Sequence, residues 1–131
     1  MGFPQNLKYS ESHEWAKADG ATVLVGITDF AVHQLQDLVF IDLPKPGTRV
    51  EKGKRFGEIE SVKAVSDLIA PVGGEVAAVN EALRRSLDAL GTDAYGAGWM
   101  IKVKAEGGAG ALEGLLDAAG YEKVTAEGGH H

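Results

Sequence analysis

The residues with most chemical potential are one lysine and the polar groups set around it. Lys63 stands in Glu60-Ser61-Val62-Lys63-Ala64, with Ser66-Asp67 just beyond. A free lysine amine has a pKa of about 10.4, so roughly one in 2,500 is an uncharged nucleophile at neutral pH. Catalytic lysines need burial or a cationic neighbour to change that, whereas this one has Glu58, Glu60 and Asp67 nearby. Schiff-base chemistry is therefore disfavoured. Modification by another enzyme suits an amine presented on a tip of small residues. The plainer reading, one more solvated surface lysine, stays open from composition alone.

Other constellations carry less. Ser12-His13-Glu14 contains the residue types of a triad, but neighbours along a strand point to opposite faces, so they cannot readily converge. Outside the terminal pair the histidines are His13 and His33, with no HExxH pattern and no cysteine, so a zinc site is not expected. Gly108, Gly110 and Gly114 follow a strand pattern in the spacing GxGxxxG rather than GxGxxG. Only 17 residues remain after Gly114, too few to complete a dinucleotide-binding unit.

The elements that must position Lys63 are mostly short strands. Gly53 lies ten residues before it and Gly74 eleven after, and both intervening stretches read as extended chain. That layout sets Lys63 at a hairpin tip. Upstream, Lys8–Ser10, Glu14–Lys17, Ala21–Ile27 and Val39–Leu43 read as strands, the last stopped by Pro44-Lys45-Pro46-Gly47. Thr28 or Asp29 should cap a short helix reaching Leu35, with Ala31 and Leu35 on one face. Downstream, the spacing predicts a helix over Glu81–Leu90, a loop over 91–98 and a closing strand over Trp99–Lys104. A helix over Leu112–Ala119 and a weaker helical turn over Tyr121–Ala126 should end the chain. Strands so closely spaced suggest a small sandwich or barrel rather than βαβ units.

At 131 residues the chain is long enough for one domain with its own core. The division expected is a single domain over 1–127 and a tail, Gly128-Gly129-His130-His131, set aside from function. A net charge of −6 argues against nucleic acid as partner. No apolar run approaches the roughly 20 residues of a membrane span. The start, Met1–Asn6, lacks the charged and apolar regions of a signal peptide. A bacterial-type cytoplasmic setting is expected, or the mitochondrial matrix for a mature organellar form.

Glu60-Ser61-Val62-Lys63-Ala64, followed by Pro71 and Gly74-Glu75-Val76, resembles the lipoyl-attachment motif, in the wording of the glycine cleavage H proteins. Biotin carriers usually place Met on both sides of the lysine, and 2-oxoacid dehydrogenase lipoyl domains usually place Asp before it; here the neighbours are Val62 and Ala64. The resemblance extends over roughly residues 7 to 125. It takes in Ser12-His13-Glu14-Trp15, Val25-Gly26-Ile27-Thr28-Asp29, Val50-Glu51-Lys52-Gly53, Tyr95-Gly96 and Gly98-Trp99-Met100. It departs at Leu87–Gly91 and Asp93–Tyr95, where the family usually has two prolines and an asparagine. Their loss should free that loop or let the helix from Glu81 run longer.

The resemblance implies a mainly β, lipoyl/biotinyl-type barrel-sandwich hybrid, two small sheets with Lys63 at a hairpin tip and short peripheral helices. It implies a carrier rather than an enzyme, with lipoic acid amide-linked to Lys63 and Glu60 and Gly74 read by the attaching enzyme. Ser12, Glu14 and Asp67 would line a cleft for the aminomethyl-bearing arm. The implied partners are glycine decarboxylase (the P protein, with pyridoxal phosphate), aminomethyltransferase (the T protein, with tetrahydrofolate) and dihydrolipoamide dehydrogenase (the L protein, with FAD and NAD). A lipoyl ligase or a lipoyl/octanoyl transferase would load the arm, and a monomer is expected. Two other readings remain open: a lipoyl relay to 2-oxoacid dehydrogenase complexes, and an interaction domain whose Lys63 is never modified.

Overall fold

The computed structural model describes residues 3–106 and 111–128. Nine strands form two antiparallel sheets among these residues. β1 (Lys8–Tyr9), β2 (Glu14–Asp19), β3 (Thr22–Ile27), β5 (Arg49–Val50), β8 (Gly74–Val79) and β9 (Ile101–Ala105) make a six-stranded sheet in the order β1-β2-β3-β9-β8-β5. β4 (Leu38–Asp42), β6 (Arg55–Ser61) and β7 (Val65–Ile69) make a three-stranded sheet in the order β4-β6-β7. The sheets do not close into a barrel. Between them lies a core of alternating apolar residues, among them Val25, Ile27, Ile41, Ile59, Leu68, Val76, Ile101 and Val103. The alternation is what makes each strand two-faced and forces the inner faces together.

A second, aromatic cluster joins the chain ends. Tyr9 stacks on Tyr121 at 4.8 Å between ring centroids, and Trp15 is fully buried with its indole N–H donated to Ala94 O at 3.0 Å. Helix α1 (Asp29–Leu35) starts where expected: Thr28 is its cap, the hydroxyl accepting from the Ala31 N–H at 3.2 Å.

The later helices differ from expectation. Glu81–Leu90 is not one helix but two, α2 (Ala82–Arg85) and α3 (Asp88–Thr92). Ser86 between them is extended, and its hydroxyl accepts from the Asp88 N–H at 3.3 Å. A serine that bonds its own local backbone competes with the helix ladder. Breaking there lets Leu83 and Leu90 both reach the core, so the loss of the family prolines does not lengthen the helix.

Leu112–Ala119 is also not a helix. A short turn at its start ends at Gly114, whose φ of +88° is the left-handed conformation glycine tolerates. The chain then extends so that Leu116 and Tyr9 exchange both backbone hydrogen bonds, at 2.7 and 2.8 Å. Only at Asp117, whose carboxylate accepts from the Gly120 N–H at 2.8 Å, does α4 (Ala118–Gly128) begin. The expected weak turn over Tyr121–Ala126 is thus the body of the last helix. Of the expected tail, Gly128 ends α4 and 129–131 lie outside the described residues, as do Gly108 and Gly110 of the glycine run.

Gly74 sits at the start of β8, paired to Val50 on one side and Ala105 on the other. Its φ is +151°, and a Cβ there would fall 2.1 Å from Lys104 O. Gly74→Ala is therefore expected to destabilise the fold by roughly 2–4 kcal/mol. Urea unfolding checks this; a midpoint equal to that of the wild type would contradict it.

Candidate functional site

β6 and β7 deliver Lys63 to the outside. The Ser61 N–H donates to Ala64 O at 2.8 Å, and the Ser61 hydroxyl accepts from the Ala64 N–H at 3.1 Å while donating to Ala64 O at 3.3 Å. The Ser61 side chain thereby takes the part a backbone carbonyl would play in a tight hairpin. The Val62 N–H donates to Asp37 O at 3.1 Å, which ties the tip to the chain entering β4. Val62 and Lys63 are left exposed on a fixed base. Among the described residues the Lys63 ammonium makes no hydrogen bond or ion pair.

Beside the tip opens a cavity of about 350 Å³, bounded by Ala64 and Val65 where β7 leaves it. Its walls are apolar: Ile27 from β3, Ala31 and Leu35 from α1, Ile59 from β6 and Leu68 from β7. Its polar lining comes from Ser12, His13, Glu14, Gln34, Ser66 and Asp67. The three expected cleft residues thus line one cavity.

They are not equivalent. Glu14 is 1% exposed, and its carboxylate accepts from three donors. The hydroxyls of Ser10 and Ser12 both donate to Oε1, the former at 2.6 Å, and the Ile69 N–H donates to Oε2 at 2.9 Å. Burial pushes its pKa above the usual carboxylate range, with those hydrogen bonds pulling the other way. Ser12 acts on Glu14 through its hydroxyl. Asp67 stands at the rim, its side chain well exposed and paired to Arg55 Nε at 3.1 Å, while Arg55 Nη2 holds Glu58 at 2.6 Å.

Ser12, His13 and Glu14 do not form a relay. His13 has a left-handed backbone, φ +77°, and its Nδ1 lies 2.7 Å from the Tyr121 hydroxyl. That hydroxyl also meets Thr28 Oγ1 at 2.7 Å. The last helix, the cap of α1 and the loop carrying His13 are therefore joined at one tyrosine. Of the two residues expected to guide attachment, Glu60 lies half-buried in β6 one residue before Ser61. Gly74 belongs to the other sheet, where it has the backbone role described above.

Two participants carried no signal as site residues in the sequence, Ser10 and the Ile69 backbone, while Ser61 stood in the attachment motif without an expected role. A Ser-x-Ser-x-Glu pattern in a tight loop is the one cue that offers two hydroxyl donors to a carboxylate. Nothing local announces Ile69, which reaches Glu14 only because the sheets face each other.

The family model of the glycine cleavage H-protein matches residues 7–128. The chain belongs to the glycine cleavage H-protein family. Similar members include the glycine cleavage system H protein of Acidobacterium capsulatum, 51% identical over 131 residues and covering 99% of this chain and 100% of the relative. That of Bacteroides thetaiotaomicron is 49% identical over 125 residues, covering 95% and 98%. Among solved structures, the glycine cleavage system H protein of Mycobacterium marinum superposes with a TM-score of 0.83 at 41% identity, covering 97% of this chain and 99% of that one. The two-sheet body with its lysine hairpin is thus the H-protein fold.

The raised Glu14 pKa fixes a sign. A group that binds its proton more tightly when folded contributes stability below its unfolded pKa and loses it as pH rises through the folded value. The stability of the wild type minus that of Glu14→Gln should therefore fall as pH rises from about 4 towards 7. Urea unfolding across that range reads it directly; a difference that is flat or grows with pH would contradict the burial.

Proposed function

We propose that this H-protein family member is the lipoyl carrier of the glycine cleavage system, with lipoic acid amide-linked to Lys63. One observation carries the reading. Among the described residues, an exposed lysine without a bonding partner, on a hydrogen-bonded tip, stands beside a cleft lined in part by aliphatic side chains and by a buried carboxylate. Such a cleft fits an aliphatic arm whose far end bears a positive charge.

Bound there, the group would supply a dithiol/disulfide pair that takes up an aminomethyl unit and returns as a dithiol. This chain contributes attachment, orientation and shelter. Lys63 would hold the arm by its Nζ. Ile27, Leu35, Ile59 and Leu68 would exclude water from it, which protects a labile adduct from hydrolysis. Glu14 would accept a hydrogen bond from the cationic end, with Ser10 and Ser12 holding its carboxylate in place, and Asp67 would add negative charge at the rim. Because the bonds to Glu14 are made before any cargo arrives, the acceptor needs no reorganisation.

As a carrier subunit the chain would do no bond-breaking of its own. It would meet glycine decarboxylase, aminomethyltransferase and dihydrolipoamide dehydrogenase in turn, and a lipoyl ligase or transferase beforehand. A single carrier domain over 1–127, acting as a monomer, is sufficient for brief encounters. The bacterial setting of the relatives supports a cytoplasmic location.

Mass spectrometry after growth with lipoic acid and an active ligase should find one lipoyl increment, on Lys63. Lys63→Arg should unfold within about 0.5 kcal/mol of the wild type, as befits an exposed site, yet support no glycine–bicarbonate exchange with glycine decarboxylase. Exchange retained in that variant would refute the assignment of the lysine. A lipoylated wild type without exchange would remove the glycine cleavage reading.

A further inference from the structure

Among the described residues, the exposed large hydrophobic side chains lie at the lysine end of the three-stranded sheet: Val39 at 56%, Phe40 at 51%, Val62 at 75% and Val65 at 61%. Strand geometry explains the grouping. Phe40, Glu60 and Val65 form one cross-strand row over β4, β6 and β7, so they share a face. Between Leu38 and Phe40 the register slips, with two steps along β4 matching one along β6. Val39 is the extra residue of that bulge, and it is exposed alongside Phe40, where strict alternation would turn one of them inward. The next row on the same face is Asp42, Glu58 and Asp67, with Arg55 bridging the last two. The face is thus an apolar band at the tip, with Glu60 inside it and carboxylates behind it.

We propose that this face is the docking surface for the enzyme that acylates Lys63, which would meet it with an apolar patch edged by basic residues. The inference rests on the reading of Lys63 as the attachment site. Geometry selects this partner over the enzymes that use the finished arm. In acylation the amide forms between Nζ and the acyl carbon as that carbon's bond to its leaving group breaks. The ammonium gives up two protons, one to become a nucleophile and one on acylation. The enzyme must therefore bring its reacting carbon to Nζ, and its surface closes on the residues flanking the tip. A partner meeting the far end of a long arm has no such need. Charge points the same way. Four carboxylates, Asp42, Glu58, Glu60 and Asp67, stand against Arg55 and Lys63 on this face. The net negative charge of the face suits a partner whose patch is edged by basic residues.

Because Val65 also borders the arm cleft, Phe40 isolates the face from the cleft. The experiment measures steady-state lipoylation of the unmodified full-length chain by a lipoate–protein ligase with lipoic acid and ATP. Phe40→Ser should raise KM for the chain at least about fivefold with kcat within twofold, and Phe40→Leu should recover most of the loss. Val39→Thr is the second variant and should act in the same direction. KM for the wild type should rise with salt, as exposed charges are screened over about 10 Å at 0.1 M. Unchanged thermal midpoints confirm that the variants fold. A KM for Phe40→Ser equal to that of the wild type overturns the proposal. So does a defect seen only in exchange with glycine decarboxylase, which would give the face to that enzyme. Self-association abolished by Phe40→Ser, with lipoylation unchanged, would give it to a second copy. A wild-type chain left unmodified by a ligase active on its control substrate would instead overturn the attachment site itself, and this inference with it.

Discussion

The structure depends most on the buried carboxylate of Glu14. It belongs to β2 in the six-stranded sheet, yet one oxygen accepts the Ile69 N–H of β7 in the three-stranded sheet. The other gathers the hydroxyls of Ser10 and Ser12, closing the loop between β1 and β2. One side chain thus staples the two sheets beside the lysine hairpin. A donor left without a partner where water cannot reach it would cost about 1–3 kcal/mol. Among the described residues no buried side-chain nitrogen or oxygen is left unpaired. The charge itself is unfavourable there, which is why the pKa rises. A cation brought into the cleft would offset that penalty. On the proposed function, the structural staple would also be the cargo acceptor, and the second use would offset the cost of the first.

Around this staple the molecule divides into a fixed base and a free arm. Ser61 locks the tip, Asp37 ties it to β4, and the side chain of Lys63 is left outside. The wall formed by α1 is held at its start from two directions. Thr28 bonds Tyr121 of α4, and Tyr95 donates to Asp29 at 2.7 Å while accepting from its N–H at 3.2 Å. Helices that look peripheral therefore set the width of the cleft. His13 shows how strongly: a left-handed residue that is not glycine costs on the order of 1 kcal/mol or more, and the bond between its ring and Tyr121 helps hold it there.

Much of this was legible in the sequence because it follows local rules. Alternating apolar residues marked the strands, Gly53 and Gly74 marked the hairpin limits around Lys63, and Thr28 marked the start of α1. The resemblance located Ser12, Glu14 and Asp67, which the structure brings to one cavity. What was not legible depends on distant partners. Leu83 and Leu87 had helical spacing, but Ser86 broke the helix so that Leu90 as well as Leu83 could be buried. Leu112–Leu116 had helical composition, but pairing with Tyr9 drew Leu116 into extended chain. The exposure of Phe40 was not legible in the strand expected over Val39–Leu43, since a bulge at Val39 leaves no mark in a run of apolar residues.

On the proposed function, Glu14 receives the positive end of the carried group. The carboxyl-carbon chemical shift of Glu14, followed by NMR against pH, tests it most directly. It would be recorded in the lipoylated chain before and after glycine decarboxylase has charged it. A cation against the carboxylate favours its ionised form, so charging should lower the titration midpoint from its raised starting value. A midpoint that stays put, in a sample shown by mass spectrometry to carry its cargo, would contradict the claim.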